Sequence, residues 1–172
     1  MKQALGVVWE DVCNPAERQT EISCQLAEPV HFGARVLRDY WEDRQAHGGL
    51  VIGKDVPSRQ VASVLRNLLV YEPIDGGTDF LVRLAGAAAL RRFGRDVSGL
   101  KMSTLFAPPV FERRRDVVNE ALRSGRPFIR DVRVVREGRP ELRFEYIGLP
   151  ALSPDRAAIW LLGGIFFYDW SR

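Results

Sequence analysis

The stretch Ile159-Trp160-Leu161-Leu162-Gly163-Gly164-Ile165-Phe166-Phe167 constrains the fold of this chain more than any other segment. It is too short to span a bilayer, and it is apolar on both phases of a two-residue repeat. A strand with one wet face alternates apolar and polar residues, so this one belongs inside a sheet with both faces covered. Short helices can cover one face. The other falls to an amphipathic segment near residue 40 or to a second copy of the protein, which gives the expectation of a homodimer.

The rest of the chain supplies candidates for those layers. Phe32, Val36, Tyr40 and Trp41 recur at helical spacing among Arg35, Arg38, Asp39, Glu42, Asp43 and Arg44. This predicts an N-terminal amphipathic helix over 31–47, stopped by Gly48-Gly49. Leu68–Tyr71 and Phe80–Leu84 flank Asp75-Gly76-Gly77, a hairpin signal. Residues 87–93 read as a brief Ala-rich helix ended by Gly94. Pro109 opens a longer helix to Arg123, with Phe111, Val117, Val118, Ala121 and Leu122 as its buried stripe. Three strands follow, over 128–135, 142–149 and 158–170. Residues 1–30 carry Pro15 and Pro29 and no sustained period, so they read as an irregular lead-in to a domain over 31–172. Hairpin-length connections make this an α+β fold, an antiparallel sheet with helices packed on one side.

Composition and motifs exclude several functions. The 172 residues suffice for one core, and 25 basic against 22 acidic residues leave a scattered charge of +3, too little to imply nucleic acid or a membrane. Two cysteines, Cys13 and Cys24, suit a reducing compartment, and with no signal-peptide pattern the expected location is the cytoplasm. His31 and His47 are the sole histidines, so neither a metal site nor a serine nucleophile with its base is visible, and no cofactor can be named. Gly48–Lys54 has the glycine and lysine spacing of a phosphate loop, but Asp55 follows and Pro57 blocks the helix such a loop needs. Asp131 and Glu145 sit beside arginines and read as cross-strand ion pairs on a wet face. Arg91-Arg92 and Arg113-Arg114-Arg115 read as solvated helix faces. The chain is therefore not expected to be an enzyme.

Three motifs carry a resemblance. Phe80-Leu81-Val82-Arg83-Leu84-Ala85-Gly86, with its "RLAG" end, runs into Phe93-Gly94-Arg95-Asp96-Val97-Ser98-Gly99, an "FGRDxxG" turn, and Pro57-Ser58-Arg59 stands upstream as "PSR". Over roughly residues 40–170 the chain resembles a single-domain, bacterial, PAS-like family, with Ala87 in place of that family's usual small hydroxyl residue. The resemblance implies a five-stranded antiparallel sheet cupping a pocket, and regulation through a small molecule or a protein partner such as a histidine kinase. Phe93, Phe106, Phe111, Phe144 and Tyr146, with Val118, would then wall the cup. Arg59 and Arg83, if turned inward, could clamp an anionic ligand by bidentate hydrogen bonds. The competing expectation is a structural or adaptor domain with a filled core and no ligand.

Overall fold

The computed structural model describes residues 4–14 and 18–168, with side chains from residue 18 onward. Two strands, β1 (Ala4–Asn14) and β2 (Gln19–Leu26), precede helix α1 (Phe32–Ala46). A 3-10 segment, Arg59–Asn67, leads into the hairpin of β3 (Leu68–Ile74) and β4 (Asp79–Ala85). Helices α2 (Ala87–Phe93) and α3 (Pro108–Ser124) follow, then β5 (Phe128–Arg136), β6 (Leu142–Leu152) and β7 (Ile159–Phe167). The strands form one antiparallel sheet in the order β1-β2-β5-β6-β7-β3-β4. Among the described residues no helix is long and apolar enough to cross a membrane.

The α+β class and the antiparallel sheet are as expected, and β7 lies inside the sheet between β6 and β3. Its side chains divide by parity. Leu161, Ile165 and Phe167 join an inner core with α2 and α3, while Leu162 and Phe166 join an outer core with α1. The two glycines at its middle serve opposite faces. A Cβ on Gly163 would meet the Tyr146 hydroxyl at 2.6 Å, and one on Gly164 would meet the Phe166 ring at 2.6 Å and Leu37 at 2.9 Å. Bare backbone at these positions lets a phenol lie on one face and α1 press on the other.

Helix α1 thus covers its own sheet, which removes the structural reason for a second copy on that face. Its buried stripe is Ala34, Leu37 and Trp41, and the Trp41 indole donates to the Pro150 carbonyl at 2.7 Å. Phe32, expected in the stripe, is 73% exposed. The caps of α1 are the two histidines: His31 Nδ1 accepts from the Gly33 amide, and His47 closes the C-terminus.

Two expectations need correction. The sheet has seven strands, not five, because residues 4–14 and 19–26 are strands and not an irregular lead-in. The signal was hidden because the buried phase of β2 is polar: Gln19, Glu21 and Ser23 face inward. A period-two pattern with polar residues inside does not look like a half-buried strand.

The family-like motifs have local physical reasons. Ser58 of "PSR" caps the 3-10 segment, its hydroxyl accepting from the Gln60 amide. In "FGRDxxG", Gly94 ends α2 at φ +70°, and the Asp96 carboxylate accepts from the Ser98 amide to fix the turn. Gly86 of "RLAG" packs against backbone, where a Cβ would lie 2.4 Å from the Arg66 carbonyl oxygen. The stretch resembling a phosphate loop is instead a turn over buried Leu50, Val51 and Ile52, pinned by the Asp55 carboxylate on the Val51 amide. Gly86→Ala is expected to lower the unfolding free energy by about 1–3 kcal/mol in urea denaturation, because backbone cannot yield as a side chain can. Ala87→Ser, one exposed residue further on, should change it by less than about 0.5 kcal/mol.

Candidate functional site: a charged clasp in the cup

Between α2, α3 and the inner face of the sheet lies a cavity of about 50 Å³. Phe93, Phe106, Val118, Phe144 and Ile165 make its apolar wall. The opposite wall is polar, and Glu21 is its centre. The Glu21 side chain is 7% exposed and accepts from Arg92 Nη2 at 3.0 Å on one oxygen and from Arg114 on the other. Beside it, Arg130 Nε and Nη2 donate to the Ser23 hydroxyl at 3.1 and 2.9 Å. The Arg114 guanidinium also lies 4.3 Å from the centre of the Phe106 ring, a cation–π contact.

Helix geometry puts these arginines inside. Arg92 shares a face with buried Ala88 and Ala89, and Arg114 stands four residues from both Val110 and Val118. The expectation that both arginine runs are solvated faces is therefore corrected for Arg92, which is 4% exposed at its side chain, and for Arg114. Burial by itself would push the Glu21 carboxyl up, but Arg114 and Arg92 together hold it below its ordinary value. Burial pulls Arg130 down to about 10, helped by repulsion from Arg114. Burial also pushes the Tyr71 phenol up to about 12 and the Tyr146 phenol higher still, so both stay protonated at neutral pH.

Of the residues expected in the cup, Phe93, Val118, Phe144 and Tyr146 line the cavity. Phe111 packs against the inner core without reaching it. Arg59 is exposed at the start of the 3-10 segment, whose buried residues Val61 and Val64 belong to the outer core. Arg83 is exposed too, paired with Glu72 and 5.9 Å from the Trp160 ring. Neither arginine turns inward, so neither can clamp a ligand there. Sequence reasoning missed Glu21, Ser23, Arg92, Arg114, Arg130 and Tyr71 as lining residues. The spacing of Arg92 from Ala88, and of Arg114 from Val110 and Val118, was the available signal.

The carboxylates on β5 and β6 do not form a catalytic pair. Asp131 binds Arg143 at 3.0 Å, the cross-strand ion pair expected. Glu145 is fully buried, which corrects the wet-face reading, and it accepts from the Val30 and His31 amides and from the Tyr168 hydroxyl at 2.7 Å. It anchors the entry to α1. Among the described residues no three His, Cys, Asp or Glu side chains are grouped to hold a metal ion.

The family model for the PAS domain matches residues 30–166, and the chain belongs to that family, a class of sensory and regulatory modules that are generally non-catalytic. No curated protein and no solved structure matches it. Strands β1 and β2, and with them Glu21 and Ser23, lie outside the matched residues.

Removing the shared anion of a buried pair leaves its cations uncompensated, so Glu21→Ala is expected to lower stability by about 3–5 kcal/mol in chemical denaturation. The carboxyl titrates below its ordinary value in the folded chain. Its contribution is therefore complete above the ordinary carboxylate range and is lost as pH falls through the folded value. Thermal unfolding against pH should show a shallower acid-side loss in Glu21→Gln than in the unaltered protein.

Proposed function

We propose that this PAS domain is a regulatory module whose input is a small ligand in the cup and whose output is a change in protein contacts. The observation that carries the reading is the polar wall of the cavity. Buried ionised groups and phenols are costly to fold around, and they gather where a site has use for them. Strand β6 supports the reading by joining the cup to the start of α1. Tyr146 faces the cup, while its neighbour Glu145 faces outward and holds the amides that open α1. Just beyond, Phe32 presents an exposed ring at the start of that helix. We assign this end of α1 as the contact surface, for a second copy of the chain or for a signalling partner such as a histidine kinase. The small cavity favours one other reading, an adaptor whose core is in effect filled.

Native mass spectrometry of the purified protein, followed by a thermal-shift screen of small metabolites, separates the two. The ligand reading predicts a bound small molecule or a stabilising shift that Val118→Phe abolishes by filling the cavity. Absence of both, in a folded protein, leaves the adaptor. For the contact surface, light scattering should give a dimer mass that Phe32→Glu halves. A monomer at micromolar concentration would remove the homodimer from the proposal.

A further inference from the structure

The chemistry of the cup narrows the class of its ligand, an inference that rests on reading the cup as a ligand site. Tyr71 on β3 and Tyr146 on β6 flank β7, opposite Leu161 and Ile165 respectively, and both line the cavity. Gly163 lies between those two positions on β7, and its missing side chain makes room for the Tyr146 hydroxyl. The two residues are 3% and 8% exposed, yet neither hydroxyl has a hydrogen-bond partner among the described residues. Arg114, near enough to act electrostatically on both phenols, uses a terminal nitrogen for Glu21, and its buried Nε has no partner among the described residues either.

Two phenol hydroxyls on buried residues and the buried Arg114 Nε thus lack an acceptor among the described residues, and all three side chains line one cavity. Leaving such groups unsatisfied is expensive, and a ligand that supplies acceptors recovers that free energy. A guanidinium N–H favours an anion over a neutral carbonyl, because charge-assisted hydrogen bonds are about twice as strong as neutral ones. A planar anion with two oxygens can accept from all three donors. The apolar wall, Phe144, Val118 and Ile165, suits a hydrocarbon, while the polar groups Glu21, Arg92, Ser23 and Arg130 are engaged with one another. A tetrahedral phosphate carries four oxygens for these three donors and would turn at least one toward that apolar wall. A volume of about 50 Å³ admits roughly four or five non-hydrogen atoms, at about one water-sized sphere each. We propose that the cup binds a short-chain monocarboxylate, its two oxygens held by Tyr71, Tyr146 and Arg114 and its alkyl end against Phe144 and Val118.

Calorimetric titration of the full chain with acetate, propionate, propionamide and inorganic phosphate tests this. The expected result is binding of acetate or propionate, with propionamide and phosphate at least tenfold weaker. Tyr71→Phe and Tyr146→Phe should each weaken carboxylate binding by about tenfold, the loss of one hydrogen bond to a charged group. Neither change removes a hydrogen bond among the described residues, so the ligand-free melting temperature of both variants should stay level or rise. Equal binding of propionamide and propionate would overturn the carboxylate class, as would binding that both phenylalanine variants leave unchanged. If carboxylates fail while another small molecule co-purifies in the cup, this inference falls and the ligand-site reading survives. If nothing binds, both fall.

Discussion

Glu21 holds three elements at once, standing on β2 and accepting hydrogen bonds from Arg92 on α2 and Arg114 on α3. Two helices that cross the cup are thereby fixed to the sheet by one carboxylate. Its burial is tolerated because the two guanidiniums offset the desolvation of the anion, and each cation depends on it in return. The arrangement is sharper than hydrophobic packing alone would give, since charged groups at hydrogen-bond distance accept few alternative geometries. The clasped Arg114 lies against the Phe106 ring and lines the same cavity as Tyr71 and Tyr146.

The second organising constraint is the two-sided sheet. Strand β7 must be covered on both faces, and the chain does this with its own parts, α2 and α3 within and α1 without. Adjacent residues of β6 and β7 therefore report to different layers. Gly163 and Tyr146 serve the cup, while Gly164 and Glu145 serve α1. Tyr146 and Glu145 share one peptide unit, so the cavity wall and the anchor of α1 stand on adjacent residues of β6.

Much of this was legible in the sequence, and the failures have physical causes. The central strand, the hairpin around Gly76-Gly77, α2, α3 and the three closing strands follow from periodicity and turn residues, and the motifs pointed to the PAS family. Apolar walls such as Phe93, Val118 and Phe144 followed too, because large apolar residues on those elements have nowhere else to go. The polar half of the cup did not. Strand β2 buries Gln19, Glu21 and Ser23, so its inward face looks like an outward one. Arg92 and Arg114 sit in charged runs that resemble a wet surface, although their spacing from Ala88 and Val110 places them inside. Arg59 and Arg83 belong to recognisable motifs, yet one is exposed at the start of the 3-10 segment and the other is exposed and paired with Glu72. Charge at a buried position shows itself only when its partner is known, and here that partner is some seventy residues or more away in the chain.

Hydrogen exchange on Glu21→Gln, compared with the unaltered protein, tests most directly whether one carboxylate closes the cup. The account predicts faster exchange confined to α2, α3 and β2, with β7 and α1 keeping their protection, because the outer core does not depend on the clasp. Unchanged exchange in α2 and α3 would contradict it, and so would a uniform loss across both cores.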